Sequence, residues 1–283
     1  MPAPRSYDSR VITVMDKQLT RRSLSLGLPL SMGLFHLAND AIAAENSAAK
    51  DAGPSTRPKI GMLIYNDMIL LDLAGPMTVL ALAMSEIHLV AKNRSPVRSD
   101  VGIVIQPTTT FDECPGDLDV LFVPGGLAGT IAAMNDDATL AFVSDRGARA
   151  KWVTSVCTGA LVLGAAGLLR GYKATSHWYV RDLLSIMGAE VSEERVVMDR
   201  NRITAGGVTA GIDFGLQIAA ILRGDDYARR IQLTLEYDPK PPFSSGSPGA
   251  AGPELVRDVL ERRAEVLAEA RVAATNAANR SPK

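Results

Sequence analysis

Histidine and cysteine are scarce in this 283-residue chain: three histidines, His36, His88 and His177, and two cysteines, Cys114 and Cys157. Two cysteines cannot make a disulfide scaffold, and this pair lacks the C-x-x-C spacing of a redox or zinc site. No cluster of His, Cys, Asp and Glu has metal-ligand spacing, so no metal and no other cofactor is expected. So few imidazoles leave little room for a mechanism that needs a histidine base. An excess of one charge is lacking too: 30 Lys and Arg stand against 31 Asp and Glu. That balance provides no basic face for a nucleic-acid partner. No apolar run is long enough to span a bilayer. What is present, 47% apolar and 22% charged residues, is the make-up of an ordinary soluble protein with enough sequence for one large core.

The first residues do not pattern as part of that core. Thr20-Arg21-Arg22-Ser23-Leu24-Ser25-Leu26 places an arginine pair before a mildly apolar stretch, and Ala41-Ile42-Ala43-Ala44 offers an A-x-A cleavage site. Residues 1–44 are therefore expected to be a twin-arginine export signal. The mature protein would be periplasmic, with no stable membrane association after export. Met15, ahead of Asp16-Lys17-Gln18, is a second candidate start. Residues 45–58, rich in Ala, Ser, Gly and Pro, read as a flexible mature N-terminus.

From Lys59 onward apolar runs alternate with helix-compatible stretches. Strands are expected at 60–65, 87–91, 101–105, 120–123, 152–156 and 173–175, and a hairpin at 195–199 and 202–204 around Arg200-Asn201. Helices are expected over 77–84, with Pro76 in the first turn, and over 136–150, 161–169, 177–187, 212–222 and 225–236. Residues 124–129, Pro-Gly-Gly-Leu-Ala-Gly, read as a Gly-rich turn after a buried strand. This alternation argues for an α/β domain over 59–238 with a doubly wound, mostly parallel sheet sandwiched by helices. Ligands bind such folds at the C-terminal ends of the strands. Residues 239–253 form a Pro/Gly/Ser tail. Residues 254–283 read as a charged helix with apolar Leu255, Val256, Val259, Leu260, Val266, Leu267 and Val272, then a disordered end. That helix is too isolated to be a DNA-reading helix-turn-helix.

One junction stands out. The β-prone run 152–156 breaks at Cys157, and Thr158-Gly159-Ala160-Leu161 continues at once as helix-compatible sequence. A thiol at such a turn points off the end of a strand. The first N–H groups of the following helix would lower its pKa and hold a developing negative charge. A second reading is open, since free cysteine is also among the most buried residue types. Asp72 likewise reads either as an acid near this turn or as a helix N-cap ahead of Gly75-Pro76. His88 reads as structural and Cys114, beside Pro115, as incidental.

Several stretches, in order, resemble the ThiJ/PfpI superfamily and, within it, the isonitrile hydratases: 71–76 (Leu-Asp-Leu-Ala-Gly-Pro), 123–126 (Val-Pro-Gly-Gly), 155–160 (Ser-Val-Cys-Thr-Gly-Ala), 174–178 (Ala-Thr-Ser-His-Trp), 204–213 (Thr-Ala-Gly-Gly-Val-Thr-Ala-Gly-Ile-Asp), and Tyr237-Asp238-Pro239 with Pro241-Pro242-Phe243. The resemblance implies a flavodoxin-like, class I glutamine amidotransferase-like fold and a homodimer. It implies Cys157 as nucleophile, with Asp72 as the acidic residue beside it. The backbone N–H groups of Gly126 and Thr158 would be the anion-stabilising donors, and Gly75, His177 and Trp178 would line the substrate pocket. Peptidase-like members carry His directly after the nucleophile, whereas this chain has Thr158. His177 reads equally as a structural histidine at a helix start. The chemistry implied is addition of water to a small-molecule isonitrile, giving an N-substituted formamide through a cysteine thioimidate. Two alternatives remain open: another cysteine-dependent amidase, peptidase or glyoxalase-like hydrolase, and a non-catalytic sensing or binding domain.

Overall fold

A computed structural model of the chain describes residues 56–280. The twin-arginine signal, its cleavage site and nearly all of the segment 45–58 lie outside the described residues, as do 281–283. In chain order the elements are β1 (Lys59–Leu63), α1 (Leu70–Leu82), β2 (Glu86–Ala91), β3 (Val97–Arg98), β4 (Val104–Ile105), β5 (Thr109–Thr110) and β6 (Val120–Val123). Then follow α2 (Leu127–Met134), α3 (Asp137–Arg149), β7 (Trp152–Val156), α4 (Gly159–Ala165), β8 (Lys173–Ala174), α5 (Leu183–Ile186) and β9 (Glu190–Val191). The chain closes with β10 (Val196–Asp199), β11 (Arg202–Ala205), α6 (Ala210–Arg223), α7 (Asp225–Thr234), α8 (Pro248–Ala251), α9 (Pro253–Glu261) and α10 (Ala264–Arg280).

Seven strands form the main sheet in the order β10-β11-β7-β6-β1-β2-β5, parallel throughout except for the β10–β11 hairpin. Its central strands are buried on both faces: β6 is an unbroken apolar run, whereas β7 buries Thr154 and Ser155 and β11 buries Arg202 and Thr204. Side chains alternate between the two cores: Val120 and Phe122 point to one face, Leu121 and Val123 to the other. On the first face Phe122 stacks on Phe214 of α6 with centroids 5.6 Å apart, adding about 0.5–1.5 kcal/mol to the area each buries. The chain winds outward from β1 to β2 and β5, then returns to β6 on the opposite side of β1. That reversal opens a crevice at the C-terminal ends of β1 and β6, the place where such folds bind ligands.

Several expectations need correcting. Helix α1 begins at Leu70, so Pro76 sits inside it rather than in its first turn. The proline leaves the Asp72 carbonyl without its helical donor. The break is tolerated because Pro76 is clamped against α6, where a Cβ on Gly211 would come within 3.2 Å of the proline ring. Residues 101–105 do not form a main-sheet strand: only Val104–Ile105 is extended, in a separate hairpin with β3, and Val101, Ile103 and Val104 are exposed. The Gly-rich stretch 124–129 runs directly into α2, with Gly129 pressed against Asn66 rather than flexible. Helix α4 stops at Ala165 because Gly167 turns the chain with φ 77°. Only 183–186 of the helix expected over 177–187 forms. The strand expected at 173–175 pairs with β9, outside the main sheet. The charged C-terminal helix is two helices, and α10 is ordered to Arg280. It docks through Ala270, Ala273, Ala274 and Ala277, while Val272 faces solvent.

Candidate active site

The crevice is floored by three loops, after β1, β6 and β7. Cys157 closes β7 with φ 57°, a left-handed conformation that is costly for a residue with a Cβ. Four hydrogen bonds hold it there. Its N–H donates to the carbonyls of Ala205 (3.0 Å) and Gly206 (2.7 Å). Its own carbonyl accepts from Ser176 Oγ (2.8 Å) and the His177 N–H (3.3 Å). The turn is thus fixed from β11 on one side and from the segment 176–177 on the other.

Asp72, the third residue of α1, is fully buried beside the thiol. It is no N-cap: Ile69 holds that position, and the first N–H of the helix, that of Leu70, donates to Asp100 Oδ1 at 2.9 Å. Asp72 Oδ2 accepts from the Gly125 N–H at 2.8 Å, while Oδ1 is buried and without a hydrogen-bond partner in the resting protein. Burial pushes the carboxyl up to about 7, an effect that the Gly125 N–H and the thiol only partly offset. Burial also raises the thiol well above its ordinary value, and the neighbouring Asp72 charge raises it further. The expected lowering by the helix that follows is therefore reversed. The backbone N–H groups of Thr158 and Val208 do face the sulfur, but they do not outweigh desolvation. Near neutral pH the resting state is a protonated thiol beside a half-ionised carboxyl, and the two titrate as a pair.

Gly125 is the hinge of this arrangement. A Cβ there would lie 2.6 Å from the Thr158 nitrogen, 2.7 Å from Asp72 Oδ2 and 2.8 Å from Cys157 Cβ. Gly126, expected as an anion donor, is already engaged, since its N–H donates to Thr158 Oγ1 at 2.9 Å. The free donors at the sulfur are those of Thr158 and Val208, and sequence reasoning missed the second. It also missed a hydroxyl chain behind the turn. Thr158 Oγ1 lies 2.7 Å from Thr130 Oγ1, which lies 3.2 Å from Tyr65 Oη. Tyr65 donates to the Pro124 carbonyl at 2.5 Å. With that proton committed, Thr130 must donate to Tyr65 and Thr158 to Thr130. The Thr158 hydroxyl proton therefore points away from the thiol, and its oxygen holds the Gly126 N–H.

His177 and Trp178 lie together along the crevice, but Gly75 does not join them. It sits one turn beyond Asp72, where the absence of a side chain lets Ile212 of α6 approach. The His177 ring packs at 3.7 Å from that of Tyr179, and its Nδ1 is buried without a partner. Burial, then the charges of Arg263 and Arg181, lower its pKa to about 4, so the imidazole is neutral at pH 7. Among the described residues no group of three or more His, Cys, Asp or Glu is placed to hold a metal ion.

With this geometry established, comparison with known proteins identifies the family. The model of the DJ-1/PfpI family matches residues 58–221. The chain belongs to the DJ-1/PfpI family. Among DJ-1/PfpI proteins it is 51% identical over 210 residues to the isonitrile hydratase of Pseudomonas putida, covering 74% of this chain and 91% of that protein. A crystal structure of a ThiJ/PfpI family protein from Pseudomonas syringae superposes with a TM-score of 0.77 at 51% identity, covering 80% of this chain and 94% of that one. Schizosaccharomyces pombe DJ-1, 21% identical with a TM-score of 0.57, shares the fold over 64% of this chain and the whole of its own.

Proposed function

We propose that the protein is an isonitrile hydratase-like hydro-lyase. The observation that carries this reading is the buried Asp72–Cys157 pair with no chargeable imidazole beside it. An acyl-transfer mechanism calls for a base that shuttles a proton to a leaving group, and the nearby histidine, with a pKa of about 4, is poorly suited to that. An isonitrile asks for something different. Its terminal carbon must gain a sulfur and a proton, and a single carboxyl with a pKa near 7 can move that proton in both directions.

In this mechanism the Asp72 carboxylate takes the Cys157 proton as the sulfur bonds to the terminal carbon of R–NC. It then delivers the proton to the same carbon, giving the thioimidate R–N=CH–S–Cys157. The Thr158 and Val208 N–H groups hold the charge on sulfur during attack and again when sulfur leaves. Water adds across the C=N bond to give R–NH–CH(OH)–S–Cys157. Collapse releases R–NH–CHO, and the proton returns to sulfur. The test is to give the purified protein an alkyl isonitrile and follow the formamide by NMR. Formamide that forms with the parent protein and not with Cys157→Ala supports the assignment; equal rates in the two proteins would remove it.

We also propose that the protein works in the periplasm after twin-arginine export, on the strength of Arg21-Arg22 and the A-x-A site. Replacing both arginines with lysine should leave the precursor in the cytoplasm. Unchanged periplasmic delivery would refute it.

A further inference from the structure

Ser176 Oγ and the His177 N–H both reach the Cys157 carbonyl, so the residues that follow begin at the nucleophile and lead away from it. They form the inner wall of a chamber. His177, Trp178 and Tyr179 face Val256 and Val259 of α9 across a cavity of about 260 Å³, with Arg263 at its rim, 5.9 Å from the centre of the Tyr179 ring. A second cavity of about 390 Å³ shares His177 and Trp178 with the first and reaches Val208, whose N–H faces the sulfur. The two cavities adjoin along His177, Trp178 and Gly246-Ser247-Pro248, and the second ends at Val208, next to the reacting pair.

Size and lining select its occupant. Drug-sized ligands occupy about 300–1,000 Å³, whereas an apolar cavity of about 150 Å³ already accepts benzene. A chamber of about 260 Å³ thus suits one ring or a short branched chain. Aromatic faces on one side and Leu255, Val256 and Val259 on the other offer a hydrocarbon close contact, with Ser245, Ser247 and Arg263 as the polar members of the lining. The isonitrile group itself is a narrow rod, able to point inward past His177 while its bulk stays between Trp178 and α9.

We propose that this chamber takes the hydrocarbon substituent of the isonitrile, and that α9, through Val256 and Val259, sets the size of substituent accepted. The inference rests on the hydratase reading, and assigns the C-terminal segment a role in substrate choice. The test compares kcat/KM for methyl, benzyl and naphthylmethyl isonitriles in the parent protein, Val259→Trp and Val259→Ala. Filling the chamber with tryptophan should lower the benzyl-to-methyl ratio at least tenfold. Opening it with alanine should raise the naphthylmethyl-to-benzyl ratio severalfold. Unchanged ratios in both variants would overturn the proposal, and if the tryptophan variant does not fold, the alanine ratio decides. A parent protein that hydrates none of the three would remove the hydratase reading instead. The chamber would then be judged by titrating N-benzylformamide into Cys157→Ala and following Trp178 emission, with Trp178→Phe as the blank. Binding weakened by Val259→Trp supports the chamber; absence of binding overturns it.

Discussion

Cys157 and Cys114 are both buried, both free, and both have a pKa raised by desolvation. By the usual guides to thiol reactivity Cys114 has the better neighbour, because Arg146 lies beside it and opposes the rise. Cys157 faces a carboxyl, which makes its thiolate harder to form. Yet Cys114 sits in a loop where its sulfur only reaches the Pro115 carbonyl at 3.7 Å, and the Arg146 guanidinium is turned to the Phe111 and Cys114 carbonyls. Cys157 has a fixed turn, two N–H donors on its sulfur and an acid that shares its proton. The contrast teaches that a suppressed thiol can be the useful one when the reaction requires the proton as much as the sulfur.

The largest expected effect breaks the Cys157 side of the comparison outright. On the proposed mechanism, Cys157→Ser should lower the hydration rate by about 10⁴-fold or more, since nucleophile and proton donor would act as a unit. Steady-state formamide assays on the two serine variants, at 157 and at 114, give the contrast directly, and equal losses would show a structural role for both cysteines.

Next comes the acid. Asp72→Asn keeps an acceptor for the Gly125 N–H but cannot move a proton, and should cost about 10²–10⁴-fold in rate. The parent's kcat/KM should change with pH through an apparent pKa near the value of about 7 given to the carboxyl by burial, and the variant should lose that inflection. Stability should move the other way. The carboxyl's folded pKa lies above its unfolded value of about 3.9, so the protonated form stabilises the fold below that pH, and this contribution is lost as pH rises through 7. Asparagine imitates the protonated carboxyl at every pH. Thermal melts should therefore show Asp72→Asn above the parent at pH 8, with the gap closing toward pH 4; a gap that widens on acidification would contradict the assignment.

A smaller effect sharpens what supports the turn. Thr158→Val leaves the Gly126 N–H buried without its acceptor, and should cost about 1–3 kcal/mol in urea unfolding, with Thr158→Ser restoring most of it. If valine were as stable as serine, the hydroxyl chain from Thr158 to Tyr65 would have no part in holding the loop. Smallest of all is Cys114→Ser, where a hydroxyl can still reach the Pro115 carbonyl. Its hydration rate should match the parent's, and its unfolding free energy should fall by about 1 kcal/mol or less.

Much of this was legible in the residues. Strands β6 and β7 match their expected bounds because β6 is an apolar run stopped by Pro124-Gly125 and β7 a β-prone run stopped where helix-compatible sequence begins. Cys157 and Gly126 fall on loops, and Asp72 in the helix turn just after a third, that a parallel sheet must gather at one edge. Helix α1 was misjudged because Pro76 reads as a boundary, and only the glycine facing it on α6 explains its place inside. The docking face of α10 was misjudged because valine and leucine outweigh alanine in any hydropathy pattern, yet small residues let two helices approach closely. Val208, Thr130 and Tyr65 were beyond reach for another reason. Val208 acts through its backbone N–H, so its side chain carries no mark of the role, while Thr130 and Tyr65 meet Thr158 only through packing between distant segments that no local spacing reveals.

The left-handed turn at Cys157 sets chemistry against durability. Glycine takes that conformation without penalty, whereas a residue with a Cβ carries about 1–3 kcal/mol of strain there. In a randomised library sorted only for heat tolerance, glycine should accumulate at position 157 and turnover should disappear from the population. Keeping a catalyst would require each round to be sorted for product as well as for survival.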